Sequence, residues 1–404
     1  MSKTEIPSIL LSSVPIGLGH MRAAQPINEA THGEVVVAST LGSEEEKKLW
    51  SRLRSRYELL SRITSIPFFS HFSLKLLDTL QDIPPLGKEQ DLSKPTLQVK
   101  ILAEMIQMGL GKQVVKRAKK LKLPFVTTFY ALAIAADKAR IKPVFCIIPD
   151  AQVNRAWVTL DPKSSNIIYF VPLSETKKRL EAYGVDPENI YVTGFPLPKE
   201  NVENAEEDFK KRLKRLDLAG LGSSLPLNLL FSIGGAGAQA ELAIKLVKAM
   251  VGRLSKGRVR ISLFAGIRQP VQDYFTSQLK SLGLTKFVNE GKLRIYHERN
   301  FTNYFHTFNK VLRTTDIFFT KPSELSFFTA LGLPMCLTPA IGPHECYNRN
   351  WLLRIGAGID WREAIANFDQ HLTSGRFIQA ARNGFTKASR EGTKNICQLI
   401  KRLS

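Results

Sequence analysis

One local plan occurs twice in this chain. At its start, "SILLSSVPIGLGHMRAAQPI" reads as a short apolar run, a turn with two glycines and an amphipathic helix. Near the middle, "LNLLFSIGGAGAQAELAIKLV" repeats strand, glycine turn and helix. An apolar run that ends in a glycine turn and hands over to a helix is the opening of a parallel α/β sheet, so two openings predict two sheets. "EVVVAST", "PFVTTF", "VFCIIPD", "IIYFVPL" and "IYVTGF" continue the first series, and "RISLFAG", "LRIYH", "DIFFTK" and "PMCLTP" the second. Amphipathic stretches such as "GKQVVKRAKKLK" and "SETKKRLEAYG" lie between them. The expected class is α/β, with two Rossmann-like domains facing across a cleft. The polar, then Gly/Ser/Pro-rich stretch at residues 196–227 reads as a linker and hinge. Expected boundaries are 1–200, 201–371, and a helical segment 372–404 that returns to the first domain.

Three turns carry chemistry. In "SIGGAG", Gly234, Gly235, Ala236 and Gly237 follow a strand and open a helix. Glycines let amides approach a ligand closely, and a helix start presents unpaired N–H groups and partial positive charge. That is a seat for a diphosphate, although the spacing is not G-x-G-x-x-G. The plainer reading is a tight turn. In "PIGLGHMR", His20 stands after Gly17 and Gly19, at the carboxyl end of a strand where open α/β sheets bind ligands. An imidazole titrating near pH ~6.5 can take a proton from an alcohol; the plainer reading is a core histidine. In "DIFFTKPSELSFFTALGLP", Lys321, Ser323 and Glu324 follow another strand. Glu324 suits the two hydroxyls of a ribose; Ser323 and Glu324 equally suit a helix cap.

In order, these segments resemble glycosyltransferase family 28, whose members have the GT-B fold and include the monogalactosyldiacylglycerol synthases and the lipid-II-forming enzyme. The carriers are "GLGHMRAAQPI", "IIPDAQVNRAWVTLDPKSSNIIYFVPLSETKKRLEAYGVDPENIYVTGFPL", "LLFSIGGAG", "LFAGIR" and "FFTKPSELSFFTALGLPMCLTPAIGPHECYNRNWLLRIGAGI". The resemblance implies an inverting hexosyltransferase with a UDP-linked sugar donor in the C-terminal domain and a hydroxyl acceptor, a lipid, in the N-terminal one. By position it implies His20 as base, with Asp150 as rival or orienting partner. Gly234, Gly235, Ala236, Gly237, Arg268, Lys321, Ser323, Glu324, His344, Glu345 and Asn348 become donor contacts; Gly17, Gly19, Asn154 and Trp157 lie on the acceptor side. No cofactor and no metal are implied. Three positions depart from the pattern. Asn154 stands where D-x-x-x-H-x-x-W has its histidine, Thr329 where a ribose-binding glutamate is expected, and His344 where a glutamine is expected. A nucleotide-sugar epimerase of the same fold, or a protein that binds nucleotide without transfer, stays open on these residues.

The 57 Lys and Arg against 36 Asp and Glu give +21, which calls for a polyanionic partner. No RNP, KH or zinc-finger pattern points to nucleic acid. "EKKLWSRLRSRYELLSRITSIPFFSHFSLKLLDTL", residues 46–80, sets Trp50, Leu53, Tyr57 and Leu60 at helical spacing among cations. It reads as a segment docking on anionic lipid, or as an ordinary helix packed on the sheet. Four cysteines without CxxC spacing suit a reduced, cytoplasmic setting. The first apolar run reads as a strand and not a signal peptide, and no run reaches the roughly 18–20 residues of a spanning helix. The expected location is the cytoplasm, peripheral to the inner face of the membrane.

Overall fold

The structure, a computed structural model, describes residues 8–16, 18–32, 35–63, 83–86, 91–233, 237 and 239–404, without the side chains of 54–63. The chain forms two compact units. The first comprises Met1–Lys199, Ile341–Tyr347 and Arg390–Ser404; the second comprises Glu200–Ala340 and Asn348–Ser389. Residues 372–389 therefore belong to the second unit and 390–404 to the first.

The first unit holds a six-stranded sheet of β1 (Leu10–Ser13), β2 (Val35–Val37), β3 (Phe125–Thr127), β4 (Val144–Ile147), β5 (Ile167–Val171) and β6 (Ile190–Val192), in the order β2-β1-β3-β4-β5-β6. Every pairing is parallel, with Leu11 opposite Val35 and Val126 opposite Phe145. Side chains alternate between faces along a strand. Leu10, Phe125, Val144, Cys146 and Tyr169 pack on one face. Leu11, Val126, Phe145, Ile147 and Phe170 pack on the other, with Ala24 and Ile27 of the helix Gly19–Thr31 and Ile396, Cys397 and Ile400 of the helix Gly392–Leu403. Both faces are covered, which is why these strands read as unbroken apolar runs. The helix Gly392–Leu403 starts so close to the chain that a Cβ on Gly392 would strike the Phe195 carbonyl oxygen. Thr393 Oγ1 donates to Leu197 O at 2.7 Å and Asn395 Nδ2 to Thr193 O at 2.9 Å, fixing it there.

The second unit holds β7 (Leu227–Ser232), β8 (Val259–Phe264), β9 (Leu293–Tyr296), β10 (Ile317–Thr320), β11 (Met335–Leu337) and β12 (Gly358–Asp360), parallel in the order β12-β11-β10-β7-β8-β9. The strand order reverses between β1 and β3 in the first sheet and between β7 and β10 in the second. Ligands of open α/β sheets settle at the carboxyl ends of strands at such points.

The stretch expected to be a linker is built into the second unit. Ala205–Gly220 is a helix that buries Ala205, Asp208, Arg212 and Leu216. Arg212 is 1 % exposed. Its Nε donates to Thr315 O at 2.7 Å, and Nη1 donates to Leu331 O at 2.7 Å and Gly332 O at 3.2 Å. Next to it, Arg215 Nε meets Asp316 Oδ1 at 2.7 Å, and the Asn228 amide donates to Asp316 Oδ2 at 2.8 Å.

Candidate functional site

At the switch point of the first sheet, the turn after β1 delivers His20 as the second residue of the helix Gly19–Thr31. Its Nδ1 lies 2.6 Å from the carbonyl oxygen of Thr128, which follows β3. A carbonyl only accepts, so Nδ1 carries the proton and Nε2 of the neutral ring carries the lone pair. The Thr128 hydroxyl donates to the His20 carbonyl at 3.0 Å and lies 2.8 Å from Ser13 Oγ, closing a polar clasp over the ends of β1 and β3.

An aromatic wall surrounds the half-buried ring. Phe129 meets it edge-on at 4.9 Å, Trp157 lies at 6.1 Å, and Tyr130 packs against Trp157 at 5.1 Å. Trp157 ends a 3-10 turn, Arg155–Trp157, in which the Asn154 side chain accepts from the Ala156 amide at 3.1 Å. Asn154 is thus the cap of the turn that carries Trp157. Buried Arg155 locks that turn through Ser93 O, Val158 O and Thr159 O. Asp150, half-buried past β4 with a partner of its own, is one strand over from Thr128.

Desolvation by this wall lowers the His20 pKa from 6.5 to about 4, against the Thr128 hydrogen bond, which raises it, and with help from the charge of His344. The sign of the linkage follows. Between these two values the unfolded chain holds a proton on His20 that the folded chain does not. The His20 contribution is therefore complete above about pH 6.5 and is lost as pH falls toward 4, by up to about 3 kcal/mol. His20→Asn offers an amide donor for Thr128 O but does not titrate. Its urea midpoint should fall less than that of the native chain between pH 7 and pH 4.5; equal falls would remove His20 as the source.

Residues Ile341–Tyr347, with His344 and Glu345, belong to this first unit. Glu345 is buried and its Oε2 accepts from the Ile341 amide at 2.7 Å, while His344 is half-buried.

In the second unit, the ends of β7, β10 and β11 are tied together. Thr320 Oγ1 donates to Ser232 O at 3.3 Å, and the Thr338 amide donates to Thr320 O at 3.0 Å. Gln239 spans the same edge: its Oε1 accepts from Thr338 Oγ1 at 2.6 Å and its Nε2 donates to Pro339 O at 2.7 Å. Gly237, at φ +77°, lies against the next turn. A Cβ there would come within 3.1 Å of Val271 Cγ2 and 3.5 Å of Arg268 Cδ, so Gly237 and Arg268 are neighbours and the position requires glycine. After β10 comes the loop of Lys321 and Ser323, whose Pro322 carbonyl accepts from Nδ2 of the fully buried Asn348 at 3.1 Å. Glu324 is buried and opens a 3-10 helix, Glu324–Leu331, where sequence periodicity suggests an α-helix. The cap is realised: Ser323 Oγ accepts from the Leu325 amide at 3.5 Å. Thr329, fully buried, donates to Leu333 O at 3.1 Å and packs inward.

Gly17, Gly234, Gly235 and Ala236 lie outside the described residues, as do 64–80 of the stretch 46–80. In its described part, Leu49 and Trp50 are core, with Trp50 Nε1 donating to Glu46 Oε1 at 3.4 Å, while Lys47, Lys48 and Arg52 are exposed. Trp50 is thus packed on the domain and not turned outward. Among the described residues no helix is long and apolar enough to cross a membrane, and no group of three or more His, Cys, Asp or Glu is placed to hold a metal. Sequence reasoning missed Thr128, Phe129, Tyr130, Gln239 and Thr338. "TTFY" after an apolar run was the available signal for the first three.

A family model, "Domain of unknown function (DUF6938)", matches residues 185–374. By sequence the chain is similar to the processive diacylglycerol beta-glucosyltransferase of Bacillus subtilis, 25% identical over 225 residues, covering 54% of this chain and 51% of that protein. The chain thus spans about half the length of the curated relatives it matches. By structure it is similar to Acinetobacter baumannii MurG (15% identical, 98% of this chain, 100% of that chain, TM-score 0.52). It is similar also to the UDP-GlcNAc 2-epimerase from Neisseria meningitidis bound to UDP-GlcNAc (12% identical, 98% and 100%, TM-score 0.52). Two parallel six-stranded sheets and these likenesses give the fold as GT-B, with two Rossmann-like domains.

Proposed function

We propose that the chain is a glycosyltransferase that moves a sugar, with inversion, from a UDP-linked donor to the hydroxyl of a lipid acceptor. The observation that carries the reading is His20: a neutral imidazole with Nδ1 committed to Thr128 and Nε2 left as acceptor, at the switch point of the first sheet. The sequence similarity to a diacylglycerol glucosyltransferase supports the lipid and the reaction class.

As the acceptor oxygen attacks the anomeric carbon, its proton passes to Nε2 of His20, and the bond from that carbon to the diphosphate breaks. Asp150 helps to orient the acceptor, which rests near Gly17, Gly19, Asn154 and Trp157. The growing charge on the nucleoside diphosphate is met by the amides of Gly234, Gly235, Ala236 and Gly237 and by Arg268 and Lys321. Glu324 takes the ribose hydroxyls, with Ser323, His344, Glu345 and Asn348 shaping the remainder of the donor site. No step is assigned to a metal or cofactor. Exposed Lys48 and Arg52 are available to anionic lipid from the stretch 46–80.

The test is to incubate the chain with UDP-glucose, UDP-galactose and UDP-GlcNAc, each radiolabelled in the sugar, and diacylglycerol in anionic vesicles. A labelled lipid from one donor is expected. No labelled lipid from any donor overturns the reading, and conversion of UDP-GlcNAc to its C2 epimer replaces it with the epimerase.

A further inference from the structure

The second unit has a pocket of about 290 Å³ at the opposite end of its sheet from the donor loops. It opens beside Leu227 and Val259, the first residues of β7 and β8. The donor turn follows the last residue of β7, six residues along, so the two places are about 15–20 Å apart.

The pocket has an apolar floor and a cationic rim. Leu225 and Leu372 present apolar surface to it above the buried Leu227, Val259 and Phe368, and Arg253, Lys256 and Arg258 form the rim. Arg253 is held in place: its guanidinium lies over the Phe368 ring at 4.9 Å and its Nη2 meets Asp369 Oδ2 at 2.6 Å. Asp369 is the one acidic residue of the lining. Lys256 and Arg258 are exposed, and among the described residues no carboxylate pairs with either. Two positive charges are thus left uncompensated at the mouth of the pocket, and they match in number the two negative charges of a phosphomonoester dianion.

Gly252 is the second observation. It lies inside the helix Ala240–Ser255, where glycine is less favourable than alanine because it loses more backbone freedom. A Cβ built on it meets nothing within 4 Å, so no packing contact requires glycine there. What the missing side chain leaves open is the pocket that Gly252 lines.

We propose that this pocket is a second ligand site that takes a phosphomonoester with an apolar body, separate from the nucleotide-sugar site. The phosphate is held by Arg253, Lys256 and Arg258, and the body lies on Leu225 and Leu372. The same chemistry is carried by a small soluble phosphate or by the phosphomonoester headgroup of phosphatidic acid, and the probes separate them.

The full chain is titrated calorimetrically with phenyl phosphate, with phenol, and with vesicles containing phosphatidic acid or phosphatidylcholine alone. Saturable binding of phenyl phosphate, without binding of phenol, is expected. Gly252→Leu fills the pocket from a helical position that tolerates a side chain and should weaken binding at least tenfold. Lys256→Glu with Arg258→Glu should do the same, and a thermal melt no lower than that of the native chain shows that Gly252→Leu still folds. Excess UDP should leave the phenyl phosphate isotherm unchanged, so the result is independent of whether the donor-site reading holds. If only phosphatidic acid vesicles bind, and Gly252→Leu abolishes it, the source is lipid. Absence of saturable binding by both phosphates, equal binding by Gly252→Leu, or displacement by UDP would overturn the proposal.

Discussion

Replacing His20 by alanine is expected to lower sugar transfer by about 10²–10⁴-fold while leaving affinity for the nucleotide unchanged. The loss should fall on kcat, because the ring is assigned to the moving proton and to no contact with the donor. His20→Asn sharpens the test. Its amide can still satisfy the Thr128 carbonyl, so the clasp over β1 and β3 survives, but it has no acceptor in place of Nε2. It should be as inactive as the alanine variant and more stable. The pH profile adds a second check. With the pKa drawn down to about 4, the ring is already neutral at pH 5.5 in the unliganded chain. The acid limb that His20 contributes to kcat/KM therefore lies near pH 4 and not near 6.5. Full turnover by either variant would remove His20 from the chemistry.

Arg212→Ala is expected to destabilise the second unit by about 3–5 kcal/mol. Desolvation lowers the Arg212 pKa to about 10, so the guanidinium is still a cation at neutral pH. Its removal strips the donors from the carbonyls of Thr315, Leu331 and Gly332 and leaves a void. It also takes a cation away from Asp316, whose carboxyl pKa is already raised, chiefly by burial. A fall in the melting temperature on the order of 10 °C should follow. Arg212→Lys, with one nitrogen in place of a fork, should recover only part of it. A loss below about 1 kcal/mol would mean that those carbonyls find other donors.

The same arginine explains where sequence reading stopped. All eleven expected strands exist; the central ones, such as β1, β3, β4 and β10, are buried on both faces, and each of the eleven is legible as an apolar run. The twelfth, Gly358–Asp360, is three residues long and opens with glycine, so it offers no such run. The helix Ala205–Gly220 was missed because its inward face includes Asp208 and Arg212, and a search for apolar residues at helical spacing reads that face as solvent. In the site, the position of His20 after a strand was legible. Its partner Thr128 stands 108 residues away, and only the pairing of β1 with β3 brings the two together. His344 was equally hidden. Sequence order sets it among residues of the second sheet, whereas the chain path returns 341–347 to the first unit.

That path bears on how the molecule is made. Ile396, Cys397 and Ile400 belong to the same apolar cluster as Leu11, Val126 and Phe145. A ribosome therefore releases the whole second unit before it supplies the residues that seal one face of the first sheet. The unit begun before the second is finished after it, and until then the part of that face left open by the helix Gly19–Thr31 waits uncovered, as a surface for a chaperone to hold.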